Sequence, residues 1–337
     1  MLEFAIFRPL MFILSIVALC IILGVRSNIV LEGVITAGTL YIFSDYIRSF
    51  FEPIQELAEQ FSTLQSAMAS AEKIFTILDE DPLVKNPEQP VELGKVKGRI
   101  QFENVWFAYQ GEDWILKDVS FTIEPGQRVA FVGATGAGKS SILNLIGRYY
   151  DIQKGAIRID GVDIRDMSRE QIRAAIGQVQ QDVFIFTGDI KHNIRLRDEG
   201  ITDEAIREAA HHTNASRFIE RLPNQYDERV TERGATFSSG QRQLLSFART
   251  LAYDPTILIL DEATANIDTE TEQWIQEAVK TLMEGRTSIM VAHRLSTIQH
   301  CDRIIVMHHG KIRESGTHQE LLEQDGIYKK LYQLQLS

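Results

Sequence analysis

Gly133-Ala134-Thr135-Gly136-Ala137-Gly138-Lys139-Ser140 is the stretch on which the reading of this sequence turns. Before it stands Arg128-Val129-Ala130-Phe131-Val132, a β-branched and apolar run with the character of a buried strand. After it comes Ser141-Ile142-Leu143-Asn144-Leu145-Ile146, which is helical in character. Strand, glycine loop and helix are the context that the phosphate-binding pattern G-x-x-x-x-G-K-[ST] requires, and a chance match would lack it. Glycines let the backbone turn tightly enough for successive N–H groups, from Gly133 to Ser141, to face a triphosphate, and the helix N-terminus adds its positive end. Lys139 then reaches the β and γ phosphates, and Ser140 holds Mg²⁺.

A chain of 337 residues has room for about two domains, and 44% hydrophobic with 24% charged residues is ordinary for a folded protein. The formal net charge of -11 argues against a nucleic-acid surface, which needs a basic stripe. Cys20 and Cys301 are far apart in the chain, so neither a disulfide framework nor a zinc spacing exists.

The averages hide an asymmetry. Residues 9 to 25 carry no charge and are almost wholly apolar. At 1.5 Å per residue such a helix spans about 25 Å, the lower limit for crossing a membrane. A second apolar region follows a break at Arg26-Ser27-Asn28 and runs through Leu40-Tyr41-Ile42-Phe43 to Phe50-Phe51, interrupted at Glu32, Gly33 and Gly38. Two membrane-spanning helices are expected. A cleaved signal peptide is the competing reading, but no small-x-small site interrupts the run, and a nucleotide domain exported from the cytosol would meet no ATP. Arg8 and Arg48 would face the cytosol but Arg26 would not, so orientation rests on placing the nucleotide domain inside. Asp45 and Arg48 share one helical face; at membrane depth they either line a polar cavity or, more plainly, satisfy each other at a helix interface.

Pro53 is expected to kink the second helix. Beyond it Leu57, Phe61, Leu64, Met68, Ala71, Phe75 and Leu78 alternate spacings of four and three, a heptad seam that continues the helix into the cytosol against other helices. Asp79-Glu80-Asp81-Pro82 through Asn86-Pro87-Glu88-Gln89-Pro90 is charged and proline-rich without apolar period, and reads as a linker. The expected division is therefore 1–80 for a partial membrane domain, 81–98 for a linker and 99–337 for a nucleotide-binding domain.

Within that last domain, residues 99 to 109 alternate as a strand ending at Tyr109. Thr256-Ile257-Leu258-Ile259-Leu260 is a continuous apolar strand delivering Asp261-Glu262 at its end, as in a central parallel strand. Ser238 stands where it can cap a helix beginning near Gln241. Ile289-Met290-Val291-Ala292-His293 is a further buried strand ending in a histidine.

Together these stretches resemble the ATP-binding cassette of ABC transporters. The resemblance implies an α/β cassette, a P-loop NTPase core with a helical subdomain and an antiparallel β subdomain, preceded here by two transmembrane helices. It implies that Tyr109 stacks on adenine. Val179-Gln180-Gln181-Asp182 is similar to the glutamine loop of the family, with Gln181 contacting Mg²⁺ and the attacking water; Gln180 replaces the usual proline. Asp261 would bind Mg²⁺ with Ser140, and Glu262 would orient and deprotonate the water. Ala265-Asn266-Ile267-Asp268 takes the place of the D-loop, and His293 that of the histidine on the γ phosphate. Phe237-Ser238-Ser239-Gly240-Gln241 resembles the signature, normally Leu-Ser-Gly-Gly-Gln, in which the helix start faces the ATP of the opposite subunit. Lys311 to His318 and the amphipathic tail resemble the close of such domains.

The whole chain is similar to the C-terminal part of bacterial multidrug-exporter half-transporters. The resemblance implies an integral plasma-membrane protein in contact with lipid, with its ATPase on the cytoplasmic side, using MgATP to export a drug, lipid or peptide-like substrate. Such halves carry six spans, so a chain with two looks truncated at its N-terminus. Since Phe237 and Ser239 depart from the signature, the resemblance favours a heterodimer with a second half whose signature is intact; a homodimer in which Ser239 is tolerated is the alternative. The soluble mechanical ATPases of DNA repair are a poorer fit, because they insert a long coiled coil where only 99 residues separate Lys139 from Ser238. A regulatory module that binds ATP without turnover would not need Glu262 and His293.

Overall fold

The computed structural model describes residues 2–31, 36–180, 183–196, 198–261, 269–291 and 298–336. The chain forms two compact units, Met1–Pro82 and Leu83–Ser337.

In the first unit, α1 (Leu2–Leu31) packs against α2 (Ala37–Leu78). α1 runs on through Arg26-Ser27-Asn28, where the sequence predicts a break; Arg, Ser and Asn each cost a helix less than about 0.7 kcal/mol, too little to stop it. α2 starts at Thr36, whose Oγ1 accepts from the Thr39 N–H at 3.3 Å, and is unbroken through Pro53. Among the described residues no helix is long and apolar enough to cross a membrane; side chains of α1 are described for residues 9–21, 23 and 24. Asp45 and Arg48 are both exposed, and among the described residues no ion pair joins them, which corrects the mutual pairing expected of them. The heptad seam is likewise exposed along Leu57, Phe61, Leu64, Met68, Phe75 and Leu78.

The second unit opens with β1 (Ile100–Phe107), β2 (Leu116–Ile123) and β3 (Arg128–Val132), then α3 (Lys139–Ile146), β4 (Lys154–Ile159), β5 (Val162–Asp163), α4 (Arg169–Ala175) and β6 (Ile176–Val179). A helical stretch follows, with β7 (Gly188–Asp189), α5 (Ile190–Arg195), α6 (Asp203–His212), α7 (Ser216–Ile219), β8 (Arg229–Val230) and α8 (Ser239–Ala252). The chain closes with β9 (Ile257–Asp261), α9 (Thr269–Met283), β10 (Thr287–Val291), β11 (Arg303–His308), β12 (Lys311–Gly316), α10 (His318–Glu323) and α11 (Ile327–Leu336).

Two larger sheets organise these elements. One is antiparallel, in the order β2-β1-β4-β5; the other has the order β12-β11-β3-β10-β9-β6, parallel except for the edge strand β12. The apolar runs seen in the sequence are continuous because the parallel sheet is buried on both faces. Val129, Phe131, Ile257, Ile259, Ile289, Ile305 and Met307 face the core shared with α3 and the antiparallel sheet. Their neighbours Ala130, Val132, Leu258, Leu260, Met290, Ile304 and Val306 face the core built on α8 and α9.

Residues 83–98 are not a free linker. Val84 and Val96 are buried, and the guanidinium of buried Arg148, just beyond α3, donates to the Lys85 carbonyl at 3.1 Å and to the Met167 carbonyl at 2.8 Å. The Val91 N–H donates to the Asp166 carbonyl, the Leu93 carbonyl accepts from Gln171 Nε2, and the Arg99 N–H donates to Asp160 Oδ1. Composition makes the segment look solvated, whereas several of its peptide groups are satisfied by residues remote in sequence.

Candidate nucleotide-binding site

β3 lies between β11 and β10, so its C-terminal end opens in the middle of the parallel sheet, where the chain turns through Gly133–Gly138 into α3. Gly138 has φ 100°, a conformation that favours glycine, and a Cβ there would also press on the Leu116 side chain. The loop closes on itself where the Ala137 N–H donates to the Ala134 carbonyl at 3.1 Å. Lys139 is only 6% exposed, and its ammonium donates to the carbonyls of Gly133 at 2.7 Å and Ala134 at 3.0 Å. The positive charge is thereby held within the curve of the loop at the start of a helix, where both charge and dipole favour an anion.

A cleft of about 430 Å³ lies over this loop, lined by Thr135, Gly136, Gly138, Lys139, Ser140 and Ser141 together with Tyr109, Ile115, Asp261 and Val291. Asp261 reaches it because β9 ends there, opposite Val291 of β10, itself the neighbour of β3. The Ser140 hydroxyl and the Asp261 carboxylate are hard oxygen donors in one cleft, the donor type suited to Mg²⁺. Tyr109 is 45% exposed, its hydroxyl 3.1 Å from Ser141 Oγ, and it meets the rings of Phe107 and Tyr150 in T-shaped contacts at centroid distances of 4.8 and 5.0 Å. Sequence reasoning passed over Ile115 and Val291, two apolar residues whose presence in the cleft no local pattern announces.

Ser238 caps α8 in a reciprocal box. Its Oγ accepts from the Gln241 N–H at 3.2 Å, and Gln241 Oε1 accepts from the Ser238 N–H at 3.0 Å. Phe237 is buried against Phe218 at 5.8 Å, so the larger ring is accommodated in the core of the helical region. Ser239 is exposed at the first position of the helix and Gly240 is buried. Among the described residues lining the cleft, none comes from the 238–241 stretch, so the structure brings together phosphate loop, Tyr109 and Asp261 but not the signature. Gln181, Glu262, His293 and the stretch Ala265-Asn266-Ile267-Asp268 lie outside the described residues. The strands leading toward them end at Val179, Asp261 and Val291, and all three run parallel to β3.

The ABC transporter domain pattern matches residues 116–265. A putative ABC transporter ATP-binding protein of Streptococcus pneumoniae, exp8, is 47% identical over 331 residues, covering 97% of this chain and 56% of that protein. The chain carries an ABC transporter domain. ABC domains of this kind hydrolyse ATP to drive transport, and the cleft above the phosphate loop lies within the matched region for most of its lining. A probable multidrug resistance ABC transporter ATP-binding/permease protein of Bacillus subtilis, YheH, is 48% identical over 305 residues, or 90% of this chain and 45% of that one. The structure of a bacterial Atm1-family ABC exporter with ATP bound matches with a TM-score of 0.74 at 35% identity, covering 98% of this chain and 57% of that chain. The chain thus spans about half the length of the curated relatives it matches.

Proposed function

We propose that this chain is the ATP-binding and ATP-hydrolysing subunit of a membrane exporter, in which residues 1–80 contribute two membrane-spanning helices and residues 99–337 work on the cytoplasmic side. The observation that carries the reading is the convergence of Lys139, Ser140, Tyr109 and Asp261 on one cleft at the C-terminal ends of β3 and β9. Tyr109 stacks on adenine, and the N–H groups of the loop with the Lys139 ammonium hold the triphosphate. Ser140 and Asp261 hold Mg²⁺, assisted by Gln181. When bound there, Mg²⁺ neutralises charge on the β and γ phosphates. Glu262 takes the proton of the attacking water, and His293 supports the γ phosphate.

A cleft whose described lining includes none of residues 238–241 supports a composite site. Ser238, Ser239, Gly240 and Gln241 serve the nucleotide of a partner half, whose own signature completes the cleft described here. Coupling to export follows if closure of two such sites moves the helices of residues 1–80, and the name of the Bacillus subtilis relative supports a transported substrate of the multidrug kind.

Lys139→Ala tests the reading. MgATP binding and ATP hydrolysis should both be lost, since the substitution removes the charge on the transferring group together with the ammonium's hydrogen bonds to the Gly133 and Ala134 carbonyls. Unchanged affinity and turnover would overturn it.

A further inference from the structure

The end of β1 is closed by a side chain, where a strand would ordinarily do so. Gln153, the residue before β4, presents its amide to Ala108: Oε1 accepts from the Ala108 N–H at 3.0 Å, and Nε2 donates to the Ala108 carbonyl at 2.8 Å. The Gln153 backbone N–H donates to the Trp106 carbonyl at 3.3 Å. β4 pairs with β1 only up to Lys154, opposite Trp106, so the amide adds one rung to the ladder where no further backbone is available. Ala108 is 2% exposed, and a buried peptide with both its polar groups unmade is costly. On the other edge the Ile115 N–H donates to the Phe107 carbonyl at 2.8 Å. The chain is thus clamped from both sides one residue before Tyr109.

We infer that Gln153 is a positioning residue for nucleotide-base binding: by fixing the Ala108 peptide it sets the direction in which Tyr109 enters the cleft. The inference rests on the adenine-stacking role proposed for Tyr109. Gln153 does not itself line the cleft. Among side chains of its length, only a carboxamide presents donor and acceptor side by side at neutral pH, so a carboxylate would set like partial charge against the Ala108 carbonyl. Lys154, the next residue, lies 5.4 Å from the ring centroid of Trp106 and 5.3 Å from that of Trp114. Those two rings meet edge to face at 5.5 Å across the loop that bears Tyr109. The Gln153-Lys154 dipeptide therefore holds that loop at its foot, while the Tyr109 ring is held at its tip by Ser141.

Gln153→Ala and the shape-preserving Gln153→Met are measured in the full chain by equilibrium binding of MgATP, with magnesium tripolyphosphate as a ligand that lacks the base. Both variants should weaken MgATP binding about three- to tenfold, the range expected when hydrogen bonds of ordinary net worth are lost. Tripolyphosphate affinity should stay within twofold of wild type, because the phosphate loop is untouched. In a Tyr109→Ala background, Gln153→Ala should cost nothing more, since the ring it positions is gone. The inference is overturned if MgATP affinity stays within twofold, if tripolyphosphate affinity falls by the same factor, or if the two substitutions add. Failure of wild type to bind MgATP, or indifference to Lys139→Ala, would overturn the ATP-binding reading first and this inference with it.

Discussion

The hydroxyl of Tyr109 stands 3.1 Å from that of Ser141 and accepts from Asn144 Nδ2 at 3.5 Å, so hydrogen bonds join the loop after β1 to α3. The aromatic at one end of the cleft is therefore anchored on the helix whose N-terminus forms the other end. Removing the ring should weaken ATP binding about tenfold or more, on the scale of base–aromatic stacking. Removing only the hydroxyl, in Tyr109→Phe, should cost about two- to threefold, since these bonds are partly open to solvent. Comparative titrations with ATP would check both, and a Phe variant as weak as the Ala variant would show that the hydroxyl, not the face of the ring, is what matters.

Glu262→Gln should leave MgATP binding intact and slow hydrolysis by about 10² to 10⁴, the usual cost of losing a general base. The amide keeps the size and one acceptor oxygen of the carboxylate but cannot accept the proton. Single-turnover phosphate release measures this directly, and near-normal turnover would assign the base to another residue.

At the opposite end of β3 from the phosphate loop, Asp302 accepts from the Arg128 backbone N–H at 2.8 Å, from Nε at 3.2 Å and from Nη2 at 2.7 Å. These hydrogen bonds from the Arg128 guanidinium, opposed by burial, hold the Asp302 carboxyl below its ordinary value of 3.8. A lowered folded pKa stabilises the fold above the unfolded value and loses that contribution as pH falls through the folded one. Asp302→Asn should therefore lower the thermal midpoint at pH 7 by about 1 to 3 °C, the modest scale of a half-exposed pair. The difference from wild type should be constant down to about pH 5 and shrink below about pH 4. A gap that grew on acidification would contradict this account.

How far the fold could be read depended on whether its cause was local. Arg128 to Ser140, Thr256 to Asp261 and Ile289 to Val291 were legible because a strand buried on both faces writes itself as an unbroken apolar run, and the phosphate loop as fixed glycines. The course of residues 83–98 was not, because Arg148 and Asp160, which hold it, lie some sixty residues away and look in the sequence like any surface charge. The end of α1 was misplaced for a related reason: Arg26-Ser27-Asn28 signals a change of polarity, which is a statement about solvent rather than about backbone. In the site, Tyr109, Lys139, Ser140 and Asp261 were read from motif positions and meet in one cleft, whereas Gln153 has no motif, since its role depends on where β4 happens to begin.

The remaining expectation concerns the partner and starts from Ser239. Phe237 is absorbed by the core against Phe218, so of the two departures from the usual signature only Ser239 alters the surface a phosphate would meet. Ser238 caps α8 with Gln241, and Ser239 stands exposed in the first turn of the same helix, the end that would face the opposite nucleotide. A Cβ and hydroxyl there crowd the closest approach, so a pairing of this chain with itself would place the crowded signature in both composite sites. Pairing with a different half confines it to one. That site would mainly hold ATP, while the site formed by Glu262 and the partner's intact signature would turn over. In the assembled heterodimer Glu262→Gln should then abolish nearly all ATPase activity, whereas Ser239→Gly should change it less than about threefold, because it acts at the slow site. If instead Ser239→Gly raised turnover tenfold, or if this polypeptide hydrolysed ATP robustly with no second kind of half present, the asymmetric pairing would be excluded and Ser239 would be a tolerated donor to the phosphate in a symmetric dimer.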